Sequence, residues 1–293
     1  MNSEEKNIKI WAGEMEGYKL LDSGDKQKLE EINGKRIVRA EPRAWWKKTV
    51  DSSEYQVVRE KQKKGFEEII DIGIGGIKAK IKFKESSKHI GIFPEQVEEW
   101  RFIKGKIEKW KEENIGREMN VLNLFGYTGI ASLVAVASNG MVRVTHVDAS
   151  KQSVDWAREN QKLSGLEGAS IRWIVDDVVK FIKKEIKRGI KYDAIIMDPP
   201  SYGKGPKGEV WKIEEKITDL LSACREILSD KPLFVIFNMY STELSSISVA
   251  NLLADMMKDF GGKMEMGELA IKQENSERLL PMSIFAIWQA TQL

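Results

Sequence analysis

Val121-Leu-Asn-Leu-Phe-Gly-Tyr-Thr-Gly129 is the stretch from which the rest of the sequence can be read. Its first four residues form a short apolar run of strand length, and Gly126 and Gly129 then break the strand before an apolar-periodic segment, Thr128–Ser138, begins. A strand that turns through glycine straight into a helix is the opening half of a βαβ unit. The same alternation repeats downstream: Val142–Val147 and Lys151–Ser164, Ile171–Val175 and Val178–Arg188, then Ala194–Met197 and a helix around Ile217–Leu228, then Leu233–Phe237 and a helix around Val249–Phe260. Repeated βα units predict an α/β fold, a Rossmann-like, mostly parallel sheet covered by helices on both faces. The last apolar runs, Gly267–Ile271 and Ser283–Ala290, have no helix between them, so they are expected to be an antiparallel pair closing the sheet.

Upstream of this region the pattern differs. From Ile8 to Phe83 short mixed segments are broken by Gly17, Gly24, Gly34, Pro42 and Gly65, with no sustained helical period, which predicts a small β-rich domain over residues 1–88 ahead of a larger domain over 89–293. The clearest early strand is Ile77–Phe83. There Ile77, Ala79, Ile81 and Phe83 alternate with Lys78, Lys80, Lys82 and Lys84, placing the four lysines on one face, toward solvent or phosphate. Past Pro94, Val97, Trp100, Ile103, Ile107 and Trp110 recur at helical steps and lead into the second domain.

With 293 residues, 42% hydrophobic and 31% charged, including nine Trp and ten Phe, the chain has apolar material for a real core, which excludes a disordered protein. No apolar run reaches membrane-spanning length and Met1–Lys9 is polar and acidic, so no membrane partner and a cytoplasmic location are expected. A single cysteine, Cys224, excludes an internal disulfide or a cysteine-based zinc cluster, and His89 and His146 add little metal-binding capacity, so no metal is expected. The net charge is only +2, but it is uneven. Between Lys35 and Lys64 ten Lys/Arg stand against four Asp/Glu, and from Lys78 to Lys88 five against one. Such clustering is either a nucleic-acid footprint or a solvated face.

In a doubly wound sheet, ligands bind beyond the carboxyl ends of the strands. The first such loop holds Asn123, Phe125, Gly126, Tyr127, Thr128 and Gly129. Its glycines permit close backbone approach, and the helix start offers N–H groups to an anion such as the carboxylate of a methionine moiety. The loop lacks the full G-x-G-x-x-G of a pyrophosphate site, which favours S-adenosylmethionine over a dinucleotide, with S-adenosylhomocysteine as product. The second loop, Asp148-Ala149-Ser150, puts an acid nineteen residues beyond Gly129, suited to ribose hydroxyls or to capping the next helix. The third, Asp176-Asp177-Val178, offers a carboxylate to an adenine amino group, Asp177 ahead of Asp176, although either suits a helix cap. The fourth, Asp198-Pro199-Pro200-Ser201-Tyr202, is a turn whose two prolines lack N–H donors; it leaves carbonyls and the Asp198 carboxylate as acceptors for a nitrogen nucleophile, with Tyr202 available to stack on a planar base. Lys204–Lys212, with Gly203, Gly205 and Gly208 and three lysines, is a candidate substrate-closing loop or a plain surface loop.

Taken together, Val121–Gly129, Thr145-His-Val-Asp-Ala-Ser150 and Asp198-Pro-Pro-Ser201 resemble the class I S-adenosylmethionine-dependent methyltransferases of the bacterial group that modifies 23S ribosomal RNA. His89-Ile-Gly-Ile-Phe-Pro-Glu-Gln96 is similar to that group's segment leading into the catalytic domain, which implies that Gln96 lies near the cofactor. The resemblance further implies cofactor contacts at Phe125, Gly126, Asp148 and Asp177, a target-site role for Asp198, a small β-rich domain ahead of the catalytic one, and structured or ribosomal RNA as the partner of a monomer or homodimer. The group's cytosine-C5 members attack the base with a cysteine just after the fifth strand. Here that place reads Phe237-Asn-Met-Tyr-Ser241, and Cys224 falls in the apolar pattern of the preceding helix, so cytosine-C5 chemistry by that route is not expected; methyl transfer to a base nitrogen of RNA is the expectation, with methylation of a protein or small molecule, or a non-catalytic RNA-binding role, as the alternatives.

Overall fold

The structure, a computed structural model, describes residues 7–62, 65–84, 89–138, 141–240 and 243–291. Lys63, Lys64, Lys88 and Ser241, and the first six residues of the polar N-terminus, lie outside the described residues. Strand β1 (Ile8–Trp11) is followed by a three-stranded antiparallel sheet, β2 (Tyr18–Gly24), β3 (Gln27–Ile32) and β4 (Lys35–Ala40). Then come helix α1 (Ser52–Gln62), the hairpin β5 (Phe66–Asp71) and β6 (Lys78–Phe83), a 3-10 turn at Pro94–Gln96 and helix α2 (Val97–Glu113).

The βα-repeat region follows as β7 (Met119–Leu124), α3 (Ile130–Ala137), β8 (Val142–Asp148), α4 (Lys151–Leu163), β9 (Ile171–Val175), α5 (Val178–Arg188) and β10 (Ala194–Met197). A small hairpin, β11 (Tyr202–Lys204) with β12 (Val210–Lys212), precedes α6 (Ile213–Glu226), β13 (Phe234–Met239), α7 (Ser246–Met257), β14 (Lys263–Lys272) and β15 (Leu279–Gln289). The large sheet runs β1-β14-β15-β13-β10-β7-β8-β9; β15 is antiparallel to both neighbours and the other pairs are parallel. The expected closing pair is therefore present. Strand order reverses between β7 and β10, which opens a crevice beyond their carboxyl ends, between the loops after Leu124 and after Met197. Central strands such as β10 and β13 are buried along their whole length, which is why they read as unbroken apolar runs.

Two features of the N-terminal region differ from the sequence reading. Strand β1 lies within residues 1–88 but pairs with β14 in the large sheet, Ile8 opposite Met266 and Trp11 opposite Leu269. Helix α1 was hidden in the sequence because only Tyr55 and Val58 anchor it, packing on Leu29 and Val38; two contacts in eleven residues make no visible period. The main core also crosses residue 88 without a break, joining Ile70, Ile81 and Phe83 to Trp100, Ile103 and Leu133.

The lysine face of β6 also differs from that reading. Lys80 Nζ bonds Glu67 and, at 2.7 Å, Glu159 of α4, while Lys82 reaches Glu159 and lies 4.5 Å above the Trp156 ring. Trp156 Nε1 and the Asn160 carboxamide bond the Lys80 backbone. Two of the four lysines thus hold the hairpin against the catalytic domain rather than facing a phosphate. No helix among the described residues is long and apolar enough to cross a membrane.

Candidate active site

The loop after β7 is shaped by packing within the protein. A Cβ on Gly126 would meet the His146 ring at 2.4 Å, and one on Gly129 would meet Ala157 at 2.8 Å with φ already at +82°. The glycines are thus required by the protein's own side chains as well as by any ligand. Replacing Gly129 with Ala is expected to cost about 2 kcal/mol from the left-handed backbone and the contact with Ala157; a shift in the urea midpoint with unchanged slope is the check.

Asn123 and Thr128, expected among the cofactor contacts, point inward. Asn123 Nδ2 donates to Ser132 Oγ at 2.9 Å, which leaves the Ser132 hydroxyl to donate to His146 Nδ1 at 3.0 Å. Burial holds His146 neutral, its pKa down to about 3. Thr128 Oγ1 donates to the Gly91 carbonyl at 2.7 Å, tying this loop to the segment ahead of α2. The residues that remain at the crevice are Phe125 and Tyr127, both at positive φ, and the start of α3, whose N-cap Gly129 provides no side-chain cap. The first-turn amides of α3 therefore keep their capacity for an anion.

At the end of β8, the Asp148 carboxylate accepts the Tyr127 N–H at 2.9 Å and the Ser150 N–H at 2.8 Å. Burial pushes its proton affinity up and these two bonds oppose the rise. The carboxylate is thereby fixed in orientation with one lone pair left on each oxygen. Ala149 links it to Ser150, whose hydroxyl caps α4 by accepting the Ser153 N–H. Beyond β9, Asp177 Oδ1 caps α5 through the Lys180 N–H, Asp176 pairs with Lys184 at 2.5 Å, and Val178 is buried in the core. The capping role left open for this pair therefore falls to Asp177, which keeps its second oxygen for a ligand.

The D-P-P turn meets a buried polar group. Gln96, at the end of the 3-10 turn, donates from Nε2 to Asp198 Oδ2 at 2.8 Å and to the Tyr240 hydroxyl at 3.2 Å. Tyr240 in turn supports the Glu95 carboxylate. One helix turn on, Glu99 accepts from Asn238 Nδ2 at 2.7 Å. Burial pushes the Asp198 carboxyl up to about 7 and Glu99 up to about 8, and burial also raises Glu95. Glu95 Oε1, Glu99 Oε1 and Asn238 Oδ1 are buried without a protein partner. Phe93 bridges the aromatic wall, 5.5 Å from both Tyr127 and Tyr240.

Tyr202, expected to hold the substrate ring, is 56% exposed on β11, opposite Lys212, and Tyr240 is the tyrosine that shares Gln96 with Asp198. The Pro200 carbonyl is not a free acceptor, since it receives Trp211 Nε1 at 2.6 Å, and the Trp211 ring lies 5.0 Å from Phe125. The segment Lys204–Lys212 is therefore a hairpin clamped over the turn. Pro199 is buried. Cys224 is fully buried and burial pushes its thiol well up, which removes it as a nucleophile. Glu95, Glu99, Asn238 and Tyr240 were missed by sequence reasoning. The one available signal was Asn238, a polar residue inside the otherwise apolar strand Phe234–Met239.

The family model for S-adenosylmethionine-dependent methyltransferase matches residues 92–229. A crystal structure of the SAM-dependent methyltransferase from Agrobacterium tumefaciens is 37% identical, covers 97% of this chain and 93% of that one, and superposes with a TM-score of 0.87. The chain belongs to the S-adenosylmethionine-dependent methyltransferases. A Streptococcus mutans protein described as a SAM-dependent methyltransferase, 17% identical over 94% of this chain and 76% of that one, shares the fold of this methyltransferase at a TM-score of 0.68. Among curated relatives, ribosomal RNA large subunit methyltransferase K/L of Shewanella frigidimarina is 38% identical over 111 residues, and methyltransferase I of Klebsiella pneumoniae is 37% identical over 108. These matches span 38% and 37% of this methyltransferase but only 15% and 24% of the relatives' own lengths. The crevice of the methyltransferase fits the family's cofactor: oriented Asp148 for hydroxyls, uncapped α3 amides for a carboxylate, and aromatic rings for a flat purine.

Proposed function

We propose that the chain methylates a ring or exocyclic nitrogen of a nucleobase in ribosomal or other structured RNA. The observation that carries this reading is the acceptor-rich end of the crevice. Asp198, Glu95 and Tyr240 surround Gln96 there, beside rings that suit a base lifted out of its helix. The ribosomal RNA methyltransferases among the curated relatives support the choice of RNA.

S-adenosylmethionine, when bound, supplies an electrophilic methyl group on a sulfonium. Asp148 would hold its ribose hydroxyls, the amides at the start of α3 its carboxylate, Asp177 its adenine amino group, and Phe125 and Tyr127 its flat surfaces. The protein's work is then largely positioning. Gln96 fixes the Asp198 carboxylate, and Asp198 orients the target nitrogen and takes the proton that nitrogen releases. The β11–β12 hairpin fixes the turn in place through the Trp211–Pro200 bond.

The test is transfer of labelled methyl from S-adenosylmethionine to total RNA, and separately to protein, from cells lacking this gene, followed by nuclease digestion. Label in one RNA nucleotide is the expected result. Label confined to protein or small molecules would overturn the RNA assignment.

A further inference from the structure

The loop between β4 and α1 carries two adjacent tryptophans in opposite situations. Trp46 donates from Nε1 to the Ser23 carbonyl at 2.8 Å, lies under the Arg278 guanidinium and packs on the main core. Trp45 is 80% exposed. Its exposure does not come from a loose backbone. Lys26 N–H donates to the Ala44 carbonyl and Asp25 N–H to the Trp46 carbonyl, both at 2.7 Å, and Ala44 N–H donates to the Glu41 carbonyl at 3.0 Å. The β2–β3 turn thus grips the loop on both sides of Trp45, and a large ring is held out in water by an ordered frame.

A cation lies at that ring. Lys26 Nζ lies 5.8 Å from its centroid, and Lys47, two residues on and 91% exposed at its side chain, pairs with Asp25 across the turn at 3.1 Å. Such a ring, on a fixed backbone with one lysine at its face and a second two residues along the chain, matches a nucleobase with its phosphates, whereas a protein partner burying Trp45 would have to desolvate the same charges. Arg43, two residues and at most about 7 Å of chain before Trp45, pairs with Glu41 at 2.8 Å, and its charge acts on Glu95 beside Asp198.

We propose that Trp45, with Lys26 and Lys47, is a stacking platform for an unpaired nucleotide of the RNA substrate, outside the pocket that receives the target base. This rests on the reading of RNA as substrate. The platform acts on affinity and register, not on chemistry, because nothing in it touches the D-P-P turn.

The experiment measures methyl transfer to RNA by the full-length protein and by Trp45→Ala, Trp45→Phe and Lys26→Gln. Alongside, fluorescence anisotropy follows binding of a labelled single-stranded RNA of mixed sequence at two salt concentrations. Trp45→Ala is expected to raise the KM for RNA and the Kd for the oligonucleotide about tenfold, with kcat and S-adenosylmethionine affinity kept. Trp45→Phe should restore most of the binding, and Lys26→Gln should lower the salt dependence by about one charge. Wild-type RNA methylation with a Trp45→Ala variant of unchanged KM and Kd would overturn the platform alone. If the wild-type protein labels no RNA, the reading of the substrate falls and the platform with it; if Trp45→Ala lowers label in protein instead, the surface is a protein-docking one.

Discussion

Asp198→Asn is expected to lower kcat for methyl transfer by roughly a hundredfold to ten-thousandfold while leaving S-adenosylmethionine affinity within a few-fold. The asparagine keeps an oxygen for Gln96 Nε2 and the shape of the turn, but it cannot take a proton from the target nitrogen. Burial has pushed the Asp198 carboxyl up to about 7, so the carboxylate form grows as pH rises. Wild-type kcat should therefore climb with pH through about 7 and level off above it, and the residual activity of Asp198→Asn should lack that limb. A single-turnover pH series with both proteins checks this. Wild-type kcat in the variant would remove Asp198 from the chemistry, and an intact kcat with a lost cofactor affinity would move it to the cofactor site.

The second large effect concerns stability. Glu99 is buried, its carboxyl is pushed up to about 8, and the causes after burial include the charges of Asp198 and Glu95. A group whose folded pKa lies above its unfolded value binds protons more tightly in the folded state. Its stabilising contribution is complete below about 4.5 and is lost as pH rises through about 8. Each pH unit separating the folded from the unfolded pKa corresponds to about 1.4 kcal/mol, so the wild-type protein should lose on the order of 5 kcal/mol over that window from Glu99 alone. Glu99→Gln carries no ionisable group, keeps an oxygen for Asn238 Nδ2, and brings an N–H that can reach the buried, unpartnered Asn238 Oδ1. The variant should accordingly be more stable than the wild type at pH 8, with a flatter dependence of the urea midpoint on pH. Equal slopes in the two proteins would show that Glu99 ionises freely in the folded state.

Both predictions involve residues of which one was legible in the sequence and one was not. Asp198 follows an apolar strand and precedes two prolines, a local pattern that needs no partner to be seen. Glu99 sits on a helix with several acids, Glu98, Glu108, Glu112 and Glu113, and nothing in its neighbours separates it from them. Only the packing of α2 against β13 takes it out of water. Tyr202 and Tyr240 show the same division in reverse. Adjacency to the D-P-P turn pointed to Tyr202, yet the hairpin turns it toward solvent, and Tyr240 arrives from the end of another strand.

The alternating apolar runs and their lengths determined by themselves that the chain would form a doubly wound sheet with an antiparallel close, because strand and helix periods are local properties of hydrophobic spacing. They also determined which loops would line the crevice, since parallel strands bring all their carboxyl ends to one edge. Tertiary structure alone decided which side chains in those loops face the crevice and which are used internally. Asn123, Thr128 and the Pro200 carbonyl were claimed by partners 9, 37 and 11 residues away, and strand β1 by β14 from the far end of the chain. Those outcomes depend on long-range contacts, where a hydrogen bond is satisfied by whichever group the fold brings within reach, and no local pattern encodes that choice.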